Sequence, residues 1–168
     1  MDFQKELIAE FDREAASTRK LLAAIPADAD FKYKPHPKSM SLGNLAGHVA
    51  ETAAGDWAIE ILTKDKMEYS TDHKYEPYVP ASTKALLERF DKQAAETKAV
   101  LAKFTPEKWE EHWKFIYGGQ TVIDESKYQA WRTWVMNHVI HHRAQLGVYL
   151  RLLNKPVPGM YGPSADEM

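Results

Sequence analysis

Apolar residues recur along most of this chain at the three- and four-residue spacing of helices buried on one side. Phe3, Leu7, Phe11, Leu21, Leu22 and Ile25 predict a first helix over residues 2–25. It stops at "IPADADFKYKPHPKSM", where three prolines read as a loop. Ser41 is a good N-cap for "SLGNLAGHVAETAAGDWAIEILTK", and the pattern carries this second helix unbroken to residue 63. Residues 64–80 read as a polar loop. A third helix over residues 82–104 carries Leu86, Leu87, Phe90, Val100, Leu101 and Phe104. Thr105 and Pro106 then predict a short helical turn in "TPEKW". The period changes next: Trp113, Phe115 and Tyr117 alternate before Gly118 and Gly119, which predicts a small extended hairpin. Helical spacing returns over residues 125–153, and "NKPVPGMYGPSADEM" closes the chain as a tail. Four long helices with long connections predict an all-α four-helix bundle, as a single domain over residues 1–168.

Composition narrows the class. The chain has 168 residues, enough for a sizeable core. A net charge of -2, with 27% charged residues, gives no global attraction to nucleic acid or an anionic membrane. No apolar run reaches membrane-spanning length, and the acidic start "MDFQKELIAEFDREA" is unlike a secretory signal. A cytoplasmic protein binding neither nucleic acid nor membrane is expected. Cysteine is absent, which excludes disulfides, thiolate ligands and a cysteine nucleophile. Any thiol chemistry would need a thiol from a cosubstrate.

The chemistry concentrates in "NHVIHHRAQLGVYLRLL". Residues four apart on a helix differ by about 40°, so His138 and His142 share a face with Trp131, Trp134, Val135, Leu146, Tyr149 and Leu153. That is the stripe expected to enter the bundle, with His141 at its edge. Two histidines so spaced read either as a metal half-site or as hydrogen-bonded core residues. On the second helix His48 shares a face with Leu45, Thr52, Ile59 and Leu62. If the three imidazoles converge, they leave open coordination positions for water or substrate. The opposite face, Ala46, Ala50, Ala53, Trp57 and Ile61, is also apolar, and packs either against a second subunit or against loops. Glu51, at the edge of the His48 face, reads as a proton carrier or as a solvated carboxylate. Gln145 falls on the histidine face, where its amide is expected to hold a water or another side chain just behind the ligands, with His141 beside it; Glu51 could also orient a ligand. Arg143 lies off that face and is expected to bridge to a neighbouring helix or to the tail. His36, His73 and His112 read as surface residues, and Trp131 and Trp134 as core. Tyr75, Tyr78, Trp113, Tyr117 and Tyr161 serve either as pocket walls or as packing.

The run from Asn137 onward, together with "NLAGHVAE", resembles DinB-like proteins of the DinB/YfiT-like metalloenzyme superfamily. The shared pattern is an H-x-x-x-H-R-x-Q-type run, a Leu-rich turn, a Pro-containing tail and a histidine on the second helix. The resemblance follows element order over essentially the whole chain, though Ala144 stands where the family often has glycine. It implies a four-helix bundle with one divalent metal ion, most often nickel or zinc, held by His48, His138 and His142. Several relatives look like thiol-dependent transferases or hydrolases using low-molecular-weight thiols such as glutathione, mycothiol or bacillithiol. The expected function is therefore a metal-dependent enzyme activating water or such a thiol on a small-molecule substrate, in a homodimer. The alternative is a non-catalytic structural or stress-response dimer, in which Glu51 or His141 closes the metal site as a fourth ligand. A metal-free bundle with three buried histidines is the remaining reading.

Overall fold

The first three long helices begin where the sequence supplies a cap. Asp2, Ser41 and Ser82 accept from the backbone N–H groups of Lys5, Asn44 and Ala85, satisfying donors that a helix start leaves free. In the computed structural model, which describes residues 2–168, these caps open α1 (Phe3–Ala23), α2 (Leu42–Ala54) and α4 (Thr83–Leu101). Pro106–Glu110 is a single 3-10 turn. The last helical stretch comprises α5 (Lys127–Ala130), a π segment (Trp131–Asn137) and α6 (His138–Leu152). Four helical columns thus enclose a core of Phe11, Leu21, Leu22, Leu45, Leu86, Phe90, Leu101 and Trp131. No helix among the described residues is long and apolar enough to cross a membrane.

The second predicted helix is in fact two. The backbone N–H of Gly55 donates to the Glu51 carbonyl at 2.6 Å, and a Cβ there would lie 2.4 Å from that oxygen. Only glycine permits this approach, and α3 (Asp56–Thr63) leaves the break on a new axis. The apolar spacing of Ala58, Ile61 and Leu62 stays helical, so periodicity alone did not reveal the break.

The segment read as a polar loop supplies β1 (Lys66–Tyr69), which pairs in parallel with β2 (His112–Tyr117). The predicted hairpin is present: β2 pairs antiparallel with β3 (Gln120–Ser126) around Gly118 and Gly119, both at positive φ. The result is a small three-stranded sheet in the order β1-β2-β3. Because β3 keeps its ladder to Ser126, the last helix starts at Lys127 and not at 125. Ser126 and Gln129 close a capping box there. The Lys127 ammonium is buried between Asp65 (3.2 Å) and Glu111 (3.0 Å), which ties the sheet to the helix start.

α2 is the most enclosed element, and the chain itself encloses it. A Cβ on Gly47 would sit 2.0 Å from the Tyr78 carbonyl oxygen, and Gly43 lies against Val79 and Phe31. The second apolar face of the helix, which suggested a second subunit, is buried within the chain: Ala46, Ala50, Ala53 and Ile61 are at most 5% exposed. Gly47→Ala should lower unfolding stability by about 1–3 kcal/mol, the usual cost of forcing a methyl into a filled site. Urea unfolding of parent and variant checks this; an unchanged midpoint would mean the segment around Tyr78 moves aside freely.

Candidate metal centre

His48 comes from α2, and His138 and His142 come from the first turns of α6. The π segment directly before α6 shapes this corner. Its wider turn buries Trp131, Val135 and Met136, while Trp134 stays half-buried on the side of His138. The backbone N–H of His138 donates to the Val135 carbonyl. The Trp134 carbonyl, its usual α-helical partner, accepts instead from the His138 ring. Sequence reading placed Trp134 in the core stripe because a uniform 3.6-residue period does not include this insertion.

The three rings face one another. Nε2 of His138 lies 2.9 Å from Nε2 of His142 and 3.4 Å from Nε2 of His48. One ligand atom from each residue lies within 4.8 Å of the others, and no carboxylate joins the group. Polar groups on the outer side of two rings favour the tautomer that carries its proton on Nδ1. His138 has only Nδ1 left to donate to the Trp134 carbonyl, and His142 Nδ1 lies 3.1 Å from Gln145 Oε1. The Gln145 amide nitrogen reaches His141 Nε2 at 2.8 Å, which sets the amide so that its oxygen faces His142. With both Nδ1 atoms protonated, the two Nε2 atoms, 2.9 Å apart, would present bare lone pairs to each other. Such a contact is repulsive unless a cation lies between them.

A proton is poorly suited to that place. Burial lowers the pKa of all three histidines, and His48 falls to about 4, with the neighbouring imidazoles adding to the effect. A divalent ion fits the donor set better. Nitrogens about 2.0–2.1 Å from one ion stand about 2.9 Å apart at a right angle and about 3.3 Å apart at the tetrahedral angle. The observed spacings of 2.9 and 3.4 Å bracket that range.

The burial has a consequence for stability. His48 is neutral in the fold down to about pH 4, whereas an unfolded chain protonates it near its ordinary 6.5. Its contribution is thus complete above pH 6.5 and is lost as pH falls towards 4. Metal-stripped protein should lose stability between pH 7 and 5, and His48→Gln should flatten that slope in urea titrations. Equal slopes for parent and variant would refute the coupling.

The remaining predicted residues lie as follows. Glu51 stays outside the cluster: its carboxylate is 3.1 Å from Arg89 and also accepts from the Tyr78 backbone. Burial nonetheless raises its pKa. His141 is exposed; it shares its Nε2 with Gln145, and its ring lies edge-to-face against His142 with centroids 4.8 Å apart. Arg143 is buried, bonded to Glu14 of α1 and to Tyr161 of the tail, as its position off the histidine face predicts. His36, His73 and His112 are exposed. Of the tyrosines and tryptophans singled out, Trp113 is fully buried and Tyr161 is bound up with Arg143, while Tyr78 stacks under Arg89. Trp57 and Phe115 stand out in the sequence only as members of an apolar face and of an alternating strand, and Tyr69 does not stand out at all. They lie half-buried beyond Trp134 in a row of ring contacts, and the alternation of β2 was the signal that could have located that row.

Fold and site together define a helical bundle, with a small sheet at its side, that gathers three imidazoles from two helices. The chain belongs to the DinB family, whose model matches residues 1–168. It is 28% identical over 156 residues to the uncharacterized protein YrdA of Bacillus subtilis (strain 168), spanning 92% of this chain and 85% of that one. A DinB-like crystal structure from Bacillus cereus ATCC 10987 superposes with a TM-score of 0.64 at 24% identity, covering 89% of this chain and 92% of the other. A second, the DinB-like YjoA of Bacillus subtilis, gives 0.68 at 21% identity, covering 92% and 97%. At these identities the two structures speak to the fold: four helices with a small three-stranded sheet.

Proposed function

We propose that this protein is a divalent-metal-dependent enzyme that activates water or a low-molecular-weight thiol, for hydrolysis or thiol transfer on a small molecule. The observation that carries the reading is the convergence of three imidazoles, with Nε2 of His138 2.9 Å from Nε2 of His142 and 3.4 Å from Nε2 of His48. His48, His138 and His142 would hold the ion, with nickel and zinc the metals best suited to a nitrogen set in this family. Such an ion supplies Lewis acidity, bringing the pKa of a water or thiol near neutrality. The protein's own groups do the rest. Gln145 and the Trp134 carbonyl keep the ligating nitrogens aimed inward. To Glu51, one turn from His48 and raised in pKa by burial although paired with Arg89, we assign the role of proton carrier at the edge of the site.

The arrangement favours an open centre over a closed structural one. Neither group that would supply a fourth ligand is free: Glu51 is paired with Arg89, and His141 Nε2 is taken by Gln145. A chain without cysteine must take any thiol from solution. Elemental analysis of tag-free protein, followed by a screen of thiols against reactive electrophiles and esters, tests the reading. About one ion per chain is expected, together with turnover that Glu51→Gln abolishes without loss of the ion. Protein that takes up no zinc, nickel or manganese would end it.

A further inference from the structure

The region beside the histidines is lined with rings, and no part of the metal reading requires them. From His138 the contacts run to Trp134 (centroids 6.5 Å apart), then Trp57 (6.2 Å), Phe115 (5.4 Å) and Tyr69 (5.6 Å). These rings come from the π segment, α3, β2 and β1, four separate elements that converge on one side. Each remains only half-buried, unlike Trp113 and Trp131, which the core encloses completely. A row of large rings left partly open, and continuous with a three-nitrogen centre, is costly surface if nothing binds there.

Its charges select among occupants. Glu125 pairs opposite Trp113 across β2 and β3, and so lies on the ring-bearing face of the sheet. Its carboxylate accepts from Trp134 Nε1 at 2.8 Å and fixes that indole. Asp56 precedes Trp57, is exposed, and acts with Glu60 on the Tyr69 phenol. Glu60 is neutralised by Lys64 at 2.7 Å. Lys66 and Lys114 pair with each other across β1 and β2, on the opposite face from Phe115. The rings are thus bordered by the carboxylates of Asp56 and Glu125, the nearby lysines of the sheet point away, and the one imidazole in contact, His73, stacks on Tyr69 at the far end of the row from the histidine centre.

We propose that this aromatic face binds an aryl group of the substrate, uncharged or cationic but not anionic, and holds the reacting atom of that substrate at the histidine centre. The proposal rests on the metal-enzyme reading for the second half of that statement only. Edge-to-face contacts supply the attraction for a flat ring, and Asp56 and Glu125 repel a carboxylate on it.

Two titrations test it. Zinc-loaded protein is titrated by calorimetry with acetohydroxamate and with benzohydroxamate, which share a chelating head and differ in the ring. Benzohydroxamate should bind about tenfold more tightly or better, and 4-carboxybenzohydroxamate should lose that advantage. Trp57→Leu and Phe115→Leu, with zinc content and helical circular dichroism unchanged, should bring the ratio close to that of the bare heads. Equal affinity for the two hydroxamates in the parent overturns the proposal. So does a ring preference untouched by both folded variants. In the second titration, metal-stripped protein is followed by tryptophan emission with benzylamine and with benzoate; benzylamine should bind and benzoate should not. Protein that retains no zinc but binds benzylamine sinks the metal reading and keeps the aryl face. Protein that holds zinc yet shows no ring preference in either titration does the reverse.

Discussion

His142→Ala should strip the centre of its ion and leave the bundle standing. Metal content after gel filtration is expected to fall from about one ion per chain to a small fraction of that, with the unfolding midpoint of metal-free protein little changed. The centre has only three donors, all imidazoles, and two of them cannot hold an ion against washing. Both neighbours that could take the empty place are already engaged, since Arg89 pairs with Glu51 and exposed His141 gives its Nε2 to Gln145. Half-buried His142 fills no part of the apolar core, so alanine leaves a solvated gap and not a cavity. Gln145→Ala makes a useful contrast. It removes the acceptor that sets the His142 tautomer but keeps every ligand, so affinity should drop by about 10–100-fold while saturating zinc still fills the site. Stoichiometric metal in His142→Ala would show that the ion binds elsewhere.

The histidines were legible in the sequence because a regular helix converts spacing into direction. His138 and His142 lie within α6, which is uniformly α-helical, and His48 lies in α2, which is regular up to Gly55. Where regularity ends, so does legibility. The break at Gly55 depends on the close approach of a carbonyl in three dimensions, and the apolar residues of α3 keep a helical period beyond it. β1 has four residues with only Met67 fully buried, too few to declare a period against the polar residues around it. The π insertion shifts Trp134 out of the core stripe, and the sequence carries no residue type that announces it. The ring row is harder still to foresee, since Trp57, Phe115 and Tyr69 lie on three elements, one of them the unforeseen β1. Glu51 shows a different limit: its position on the helix was legible, but its partner Arg89 belongs to another helix.

Arg143→Met should destabilise the fold by about 3–5 kcal/mol, the usual cost of breaking a buried ion pair by removing one partner. The Arg143 side chain is 2% exposed and the Glu14 side chain 12%. Its two terminal nitrogens donate four hydrogen bonds, to the Glu14 carboxylate and carbonyl, the Thr18 hydroxyl and the Tyr161 hydroxyl. Tyr161 also donates to the same carboxylate at 2.9 Å, so one charge pair joins α1, α6 and the tail. Methionine replaces the stem of the side chain but none of its donors, leaving the Glu14 carboxylate with a single hydroxyl partner. The penalty therefore comes from the orphaned charge more than from lost packing. Glu14→Gln in the Arg143→Met background should then recover part of the loss, whereas Glu14→Gln alone should be destabilising. Urea unfolding of the four proteins gives the coupling directly. Because the pair faces α1 while His142 faces α2, the folded fraction of Arg143→Met should still take up zinc, separating this variant from the loss of a ligand. Strict additivity in the cycle would mean that water already reaches the pair and that the tail is not held by charge.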